Sequence, residues 1–253
     1  MANPVLLDNA NIWLGGYSLD GQVNNIDLKA TKQDKANSRM GDTAEVFYPG
    51  LATIDAKVAG FFAAGPGEED EILHPRVLSD SAEWPLTICP PYAPAAAPGA
   101  SGNIAYTIRS AQYTLTFGGK HGDLLPFGLT SRVRAGTIYR QTIVLPKATY
   151  AATTTGTGRQ LGVLSATQKL VVTLHVFAIT GGSWVLTVES DDNAGFTTAI
   201  TRLTLTAVTT AANRIVTELV GPVAVDDYWR VVLTKTGGTS VNAAALLSLE
   251  PLT

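Results

Sequence analysis

In the second half of the chain, apolar and polar positions alternate with a period of two and no helical stripe interrupts them. Six such runs stand out: Leu170 to Ile179, Trp184 to Ser190, Thr201 to Ala207, Arg214 to Val220, Tyr228 to Thr234 and Ala243 to Leu249. Between them lie Gly181-Gly182, Asp191-Asp192-Asn193, Ala211-Ala212-Asn213, Gly221-Pro222 and Gly237-Gly238-Thr239, residues that favour tight turns. Short β-branched strands at this spacing predict an antiparallel sandwich, jelly-roll or immunoglobulin-like. Its expected core takes Trp184, Phe196, Trp229, Leu174, Val176, Leu186 and Val232, and the tryptophans read as core rather than as a sugar-binding platform.

The first half is less regular. Leu6 to Tyr17 reads as a hairpin arm broken at Gly15-Gly16, and Val23 to Leu28 as a short strand. Lys29 to Arg39 carries five charges and no large apolar residue, which predicts a long polar loop reaching away from the core. The stretch Gly41 to Phe62 organises this half: a Gly-Asp turn and a Pro49-Gly50-Leu51 corner lead into a strand that closes on Gly60-Phe61-Phe62. Glu68-Glu69-Asp70-Glu71 precedes Ile72-Leu73, as suits the first turn of a short helix, and Pro75 stops it. Further strands are expected at Trp84 to Cys89, Ala105 to Phe117 and Arg134 to Leu145, with a Pro/Ala/Gly-rich loop from Pro90 to Gly102. Both faces of the Ala105 to Phe117 strand are mixed, as where one meets a core and the other a neighbour or a wet channel.

Lys147 to Gly158 is small, polar and turn-rich. The expected organisation is therefore a β domain over 1–148, a linker over 149–158 and a β-sandwich domain over 159–253: an all-β protein with minor α content. A chain of 253 residues with 45% apolar content can bury a core without metals or crosslinks. Charged residues make up 15%, against about 25% for an ordinary soluble domain. Part of the surface is expected to be covered by other subunits. Neither half is basic enough to read nucleic acid, since 12 basic face 14 acidic residues up to Tyr150 and 6 face 7 beyond it. The N-terminus has no basic region followed by an apolar run, so no signal peptide is expected, and no window reaches the length of a membrane span.

Candidate chemistry is sparse. His74, His121 and His175 fall in three different segments, and none sits in a nucleophile elbow, an H-E-x-x-H helix or a C-x-x-C frame. Cys89 reads as a small buried hydrophobe, and His175, amid apolar residues, as a satisfied ring. The acidic run with His74 lacks the spacing of a zinc helix or a calcium loop, and Asp191-Asp192-Asn193 reads as a hairpin turn before a calcium site. No enzyme, cofactor or metal is expected.

The stretch from Asn25 to Phe62 resembles the tail tube (major tail) proteins of long-tailed bacteriophages. The resemblance rests on the strand Asn25 to Leu28, the polar loop Lys29 to Met40, Gly41-Asp42-Thr43, Pro49-Gly50-Leu51 and the strand Ile54 to Phe62. Gly122-Asp123-Leu124-Leu125-Pro126-Phe127 followed by Arg134-Ala135-Gly136-Thr137 is similar to the closing part of such virion proteins. Glu189 to Phe196 and Asp227 to Val231 are similar to β-sandwich appendages on phage virions. The resemblance implies a tail-tube-like β-barrel or sandwich whose copies stack as rings, six-fold in that family, around a channel that conducts genomic DNA without reading its sequence. It implies synthesis in the host cytoplasm, a place in the virion tail, contacts with itself and with other tail or head proteins, no membrane partner, and an outward C-terminal domain with a host-surface glycan as a candidate ligand. The expected inter-subunit contact sets a basic arm, Lys29, Lys32, Lys35 and Arg39, against Glu68, Glu69, Asp70 and Glu71 of a neighbour. The alternatives are a capsid decoration or head-surface protein, and a carbohydrate-binding module holding a sugar on an exposed Trp184 or Trp229.

Overall fold

The computed structural model describes residues 10–20, 23–36, 47–62, 68, 73–75, 84–90, 97–121, 124–210, 214–222 and 225–252, with side chains at 32–36, 47–52, 110–112, 132–137 and 214–216 left aside. Among the described residues the chain is all-β apart from one helical turn at 73–75. It divides into two compact units. Unit 1 holds Met1–Asp20, Trp84–Ile108 and Tyr139–Thr253; unit 2 holds Gly21–Glu83 and Arg109–Ile138.

Unit 1 contains two sheets. The strands of the first are β1 (Asn11–Leu14), β2 (Tyr17–Ser18), β5 (Trp84–Cys89), the first part of β6 (Ile104–Phe117), the last part of β7 (Pro126–Tyr150), β10 (Gln168–Thr180), β13 (Arg214–Val220) and β15 (Ser240–Pro251), in the order β13-β10-β15-β7-β6-β5-β1-β2. The second sheet has the order β12-β11-β14-β8, from β8 (Thr154–Thr155), β11 (Trp184–Asp191), β12 (Ile200–Thr204) and β14 (Tyr228–Lys235); β9 (Arg159–Gln160) also pairs with β14. Side chains from the two sheets share one core. Leu170, Val172, Leu174 and Val176 of β10 and Ala243, Ala245 and Leu247 of β15 pack against Trp184, Leu186, Val188, Trp229, Val231 and Leu233. Phe196 is buried as expected, whereas Val232 is only half-buried. Trp229, Val231 and Leu233 share one face of β14, and the two-residue period puts Val232 on the other. Two glycine turns meet at one end of the sandwich: a Cβ on Gly182, at φ +68, would fall 2.0 Å from the carbonyl carbon of Gly237.

The first sheet also curls over its own second face. Trp13 of β1 lies edge-on to His175 and Phe177 of β10, at ring-centroid distances of 5.5 and 5.7 Å, and Cys89, Ala105, Ile143, Ala244 and Leu246 fill the space around them. Residues of β10 from Lys169 to Val176 are therefore buried without a break, the signature of a strand covered on both faces.

Unit 2 is built on β3 (Val23–Ala36), β4 (Phe47–Phe61) and the remaining parts of β6 and β7. β3 pairs with β4, β4 with β7 and β7 with β6. Lys29 to Ala36 is strand rather than the expected loop, because backbone pairing with β4 carries it. The Pro49-Gly50-Leu51 corner is a bulge inside β4: the register slips between Lys32/Ala52 and Asp34/Pro49, leaving Gly50 and Leu51 opposite Gln33 alone. The Gly41-Asp42-Thr43 turn lies outside the described residues.

The units do not follow the expected division at 148/149. Strand β7 runs through that boundary to Tyr150 and pairs with β15, so the sheet of unit 1 draws on both halves of the sequence. Nor is 149–158 a free linker. Thr154 and Thr155 pair with Leu233 and Val232, Gly156 N–H donates to Val231 O at 2.8 Å, and Thr157 N–H donates to Val144 O at 2.9 Å.

Candidate assembly surface

The sheet of unit 2 has two unlike faces. Registered rows place Ile26, Val58 and Leu129 side by side, then Leu28, Ala56 and Ser131, and finally Gly60 beside Phe127. On this face Ala56, Val58, Gly60, Phe127, Leu129 and Ser131 are buried, and Ile26 and Leu28 are half-buried. The opposite face carries Asp27 against Lys57, Lys29 against Asp55, and Thr31 against Thr53. Asp27, Lys29, Thr31, Thr53 and Lys57 are exposed. Cross-strand neighbours of opposite charge stabilise such a pair by roughly 0.2–1 kcal/mol each, which adds to the packing of Ile26 and Leu28 in holding the register of β3.

Of the eight residues expected to join subunits, Lys29 lies exposed on β3 with Asp55 as its cross-strand neighbour. Lys32 and Lys35 continue the strand opposite Ala52 and Tyr48. Glu68 is half-buried, and Arg39, Glu69, Asp70 and Glu71 lie outside the described residues. Lys29, Lys32 and Lys35 are thus part of a strand that also carries Asp27 and Asp34. The charge rows themselves escaped sequence reasoning. Their signal was parity: Asn25, Asp27, Lys29 and Thr31 alternate with Ile26, Leu28 and Ala30, mirrored by Thr53, Asp55, Lys57 and Ala59 against Ile54, Ala56 and Val58.

Two further features border this sheet. Among the described residues β3 pairs only with β4, so its outer edge presents backbone N–H and C=O groups to no described strand. At one end of the strands sits an apolar tip. Leu124 is 70% exposed, and Phe61, Phe117 and Leu125 are each more than 40% exposed. Phe62 N–H donates to Leu125 O at 2.8 Å, and its ring meets Phe117 edge-on at 4.8 Å.

The polar groups buried in unit 1 serve structure. The carbonyl of Gly15 can only accept, so Nδ1 of His175 carries the proton it donates there. Nε2 then accepts from Thr87 Oγ1 at 2.8 Å, and Thr107 Oγ1, 2.8 Å from Thr87 Oγ1, donates in turn. Burial lowers the His175 pKa to about 4, against a smaller opposing effect of the Gly15 carbonyl, and keeps the ring neutral. Burial likewise raises the Cys89 thiol, with Asp20 adding to the effect and Lys147 opposing it, so the sulfur is no thiolate nucleophile. The Asp191 carboxylate accepts from the N–H groups of Asn193 at 3.1 Å and Thr198 at 2.8 Å, which is the turn chemistry the sequence suggested. Among the described residues no three His, Cys, Asp or Glu gather as metal ligands, and no helix is long and apolar enough to cross a membrane. All four tryptophans are buried, Trp184 and Trp229 completely, which removes the sugar platform that a carbohydrate-binding module would place there.

No protein-family model matches the chain, and no curated protein matches it. Similar solved structures include a chain from an extracellular contractile injection system, the PVC sheath–tube complex in its extended state. It is 11% identical with a TM-score of 0.39, and the match covers 55% of this chain and 92% of that one. Another is the SPP1 Dit (gp 19.1) protein, described as a paradigm of the hub adsorption apparatus in phages infecting Gram-positive bacteria. It is 12% identical with a TM-score of 0.36, over 95% of this chain and 98% of that one. At these scores neither likeness bears on fold or role here.

Proposed function

We propose that this chain is a structural protein of a phage virion, a tail-tube subunit that assembles with copies of itself into stacked rings around a DNA-conducting channel. The observation that carries the reading is the sheet of unit 2, which is apolar on one face, charged and polar on the other, and bounded by a 14-residue strand whose outer edge pairs with no strand among the described residues. An edge this long is an aggregation liability in a monomer and a joint in a closed, symmetric assembly. The polar face suits a channel wall. Asp27, Lys29, Asp55 and Lys57 sum to zero charge, and a polyanion is gripped only where Lys and Arg neutralise its phosphates in excess. In this reading the sandwich of unit 1 is displayed outward and meets other virion proteins or the host surface.

Negative-stain electron microscopy of the full-length protein over a range of concentrations tests it. Rings or hollow tubes are expected. Monomers or trimers that never form tubes yet bind preformed shells would assign the chain to capsid decoration instead.

A further inference from the structure

We propose that outside an assembled ring β3 is capped by β3 of a second copy of this chain, the two strands running antiparallel about a two-fold axis through Leu28. The pairing stands on the geometry of β3; only its role, as the form that unassembled subunits take, rests on the tube reading above.

The first ground is the edge itself. Between the register shifts at Val23/Asn25 and Lys32/Asp34, β3 is unbulged, and Leu28 is near the middle of that regular stretch. A straight edge of this length adds a strand without distortion. The second ground is charge complementarity. With Leu28 opposite Leu28 of the partner copy, Asp27 falls opposite Lys29 twice, and Asn25 opposite Thr31 twice. Each charge already has an opposite neighbour on β4, Lys57 beside Asp27 and Asp55 beside Lys29. Across the joint, the row then reads Lys57, Asp27, Lys29, Asp55, alternating in sign throughout. The third ground is specificity. Sliding by two residues in either direction sets Asp27 against Asp27 or Lys29 against Lys29 at the axis, and sliding by one sets the half-buried Ile26 and Leu28 opposite polar neighbours. The Leu28-centred register alone among these satisfies both faces, and it covers Ile26 and Leu28, which the single chain leaves half-buried.

The test is sedimentation velocity of the full-length protein and of the variants D27K and K29D, with circular dichroism to establish that each is folded. The wild type is expected to show a monomer–dimer equilibrium that weakens with salt. Each variant alone faces two like-charge contacts and is expected to dissociate at least tenfold more readily. An equimolar mixture of the two restores dimers, because in the mixed pair all four opposed positions again carry opposite charges. Leu28→Cys supplies a check that does not depend on the charges: Cys89, the chain's one cysteine, is buried, so mild oxidation is expected to link the introduced thiols directly across the axis. A wild type that is monomeric at every concentration, or dimers unchanged in both single variants, would overturn the proposal. Rings without any β3-linked dimer overturn the cap and leave the tube reading intact. Dimers that follow the charge rules in a protein that never forms rings uphold the cap and remove the tube reading.

Discussion

Strands β10 and β4 are both central, each paired on its two edges, yet they are buried in different ways. Every residue of β10 from Lys169 to Val176 is buried. In β4, Ile54, Ala56, Val58 and Gly60 are buried, while the alternate positions Thr53, Lys57 and Phe61 are exposed and Asp55 and Ala59 half-buried. Unit 1 covers both faces of its sheet with its own chain; unit 2 covers one. Burying a Leu or Val side chain contributes about 1.5–3 kcal/mol, so unit 1 concentrates stability, whereas one face of the unit 2 sheet stays polar and largely exposed. Substitutions should divide accordingly: those in unit 1 change folding, and those on the polar face of unit 2 change association.

The largest effect is expected at Trp229, which is fully buried and donates its indole N–H to Gly162 O at 2.9 Å. Trp229→Ala should cost about 3–5 kcal/mol in chemical denaturation, and a change near zero would break the contrast between the units. Acid comes next. Unfolded, His175 titrates near 6.5, and folded near 4, so the unfolded chain takes up the proton first as pH falls. Its contribution is complete above 6.5 and is lost between about 6.5 and 4, on the order of 3 kcal/mol. Replacing His175 by Gln should flatten that part of the stability profile, and an unchanged profile would place the acid sensitivity elsewhere. Thr87→Val leaves Nε2 of His175 without its donor and should cost about 1–3 kcal/mol, largely recovered by Thr87→Ser. The smallest effect on folding belongs to unit 2. Lys29→Asp, on the exposed face, sets a second carboxylate opposite Asp55 and should cost up to about 1 kcal/mol of stability while altering the distribution of assembled species in sedimentation.

Much of this fold was legible in the sequence where side chains announce burial. The bounds of β5 coincide with the expected Trp84 to Cys89 strand and those of β13 with a run read from alternation, and the other strands read from alternation differ by a few residues at their ends. Legibility failed where the signal lies in pairing. From Lys29 onward β3 carries no large apolar residue, and its partner, not its own composition, makes it a strand. The 25 residues of β7 run through Pro126 and Gly128, residues that ordinarily punctuate strands; Pro126, as the first residue, loses no internal ladder bond. Val232 was misassigned by parity alone, since Trp229 already fixed the inward positions of β14 as odd-numbered. The interleaving of the units was invisible for a related reason: the small, polar run around Tyr150 looks like a linker until β15 and β14 are known to bind it. Of the candidate site, the residue types were legible and their rows were not.

Strand β15 lies between β10 and β7 in the sheet and is translated after both of them. While the ribosome is still working through residues before 240, β7 and β10 have no common neighbour, and the two faces of that sheet cannot close. β3 and β4 are near in sequence and need no such wait. The nascent chain therefore offers the β3–β4 pair early and completes the sheet of unit 1 late, so the order of synthesis runs opposite to the order of burial.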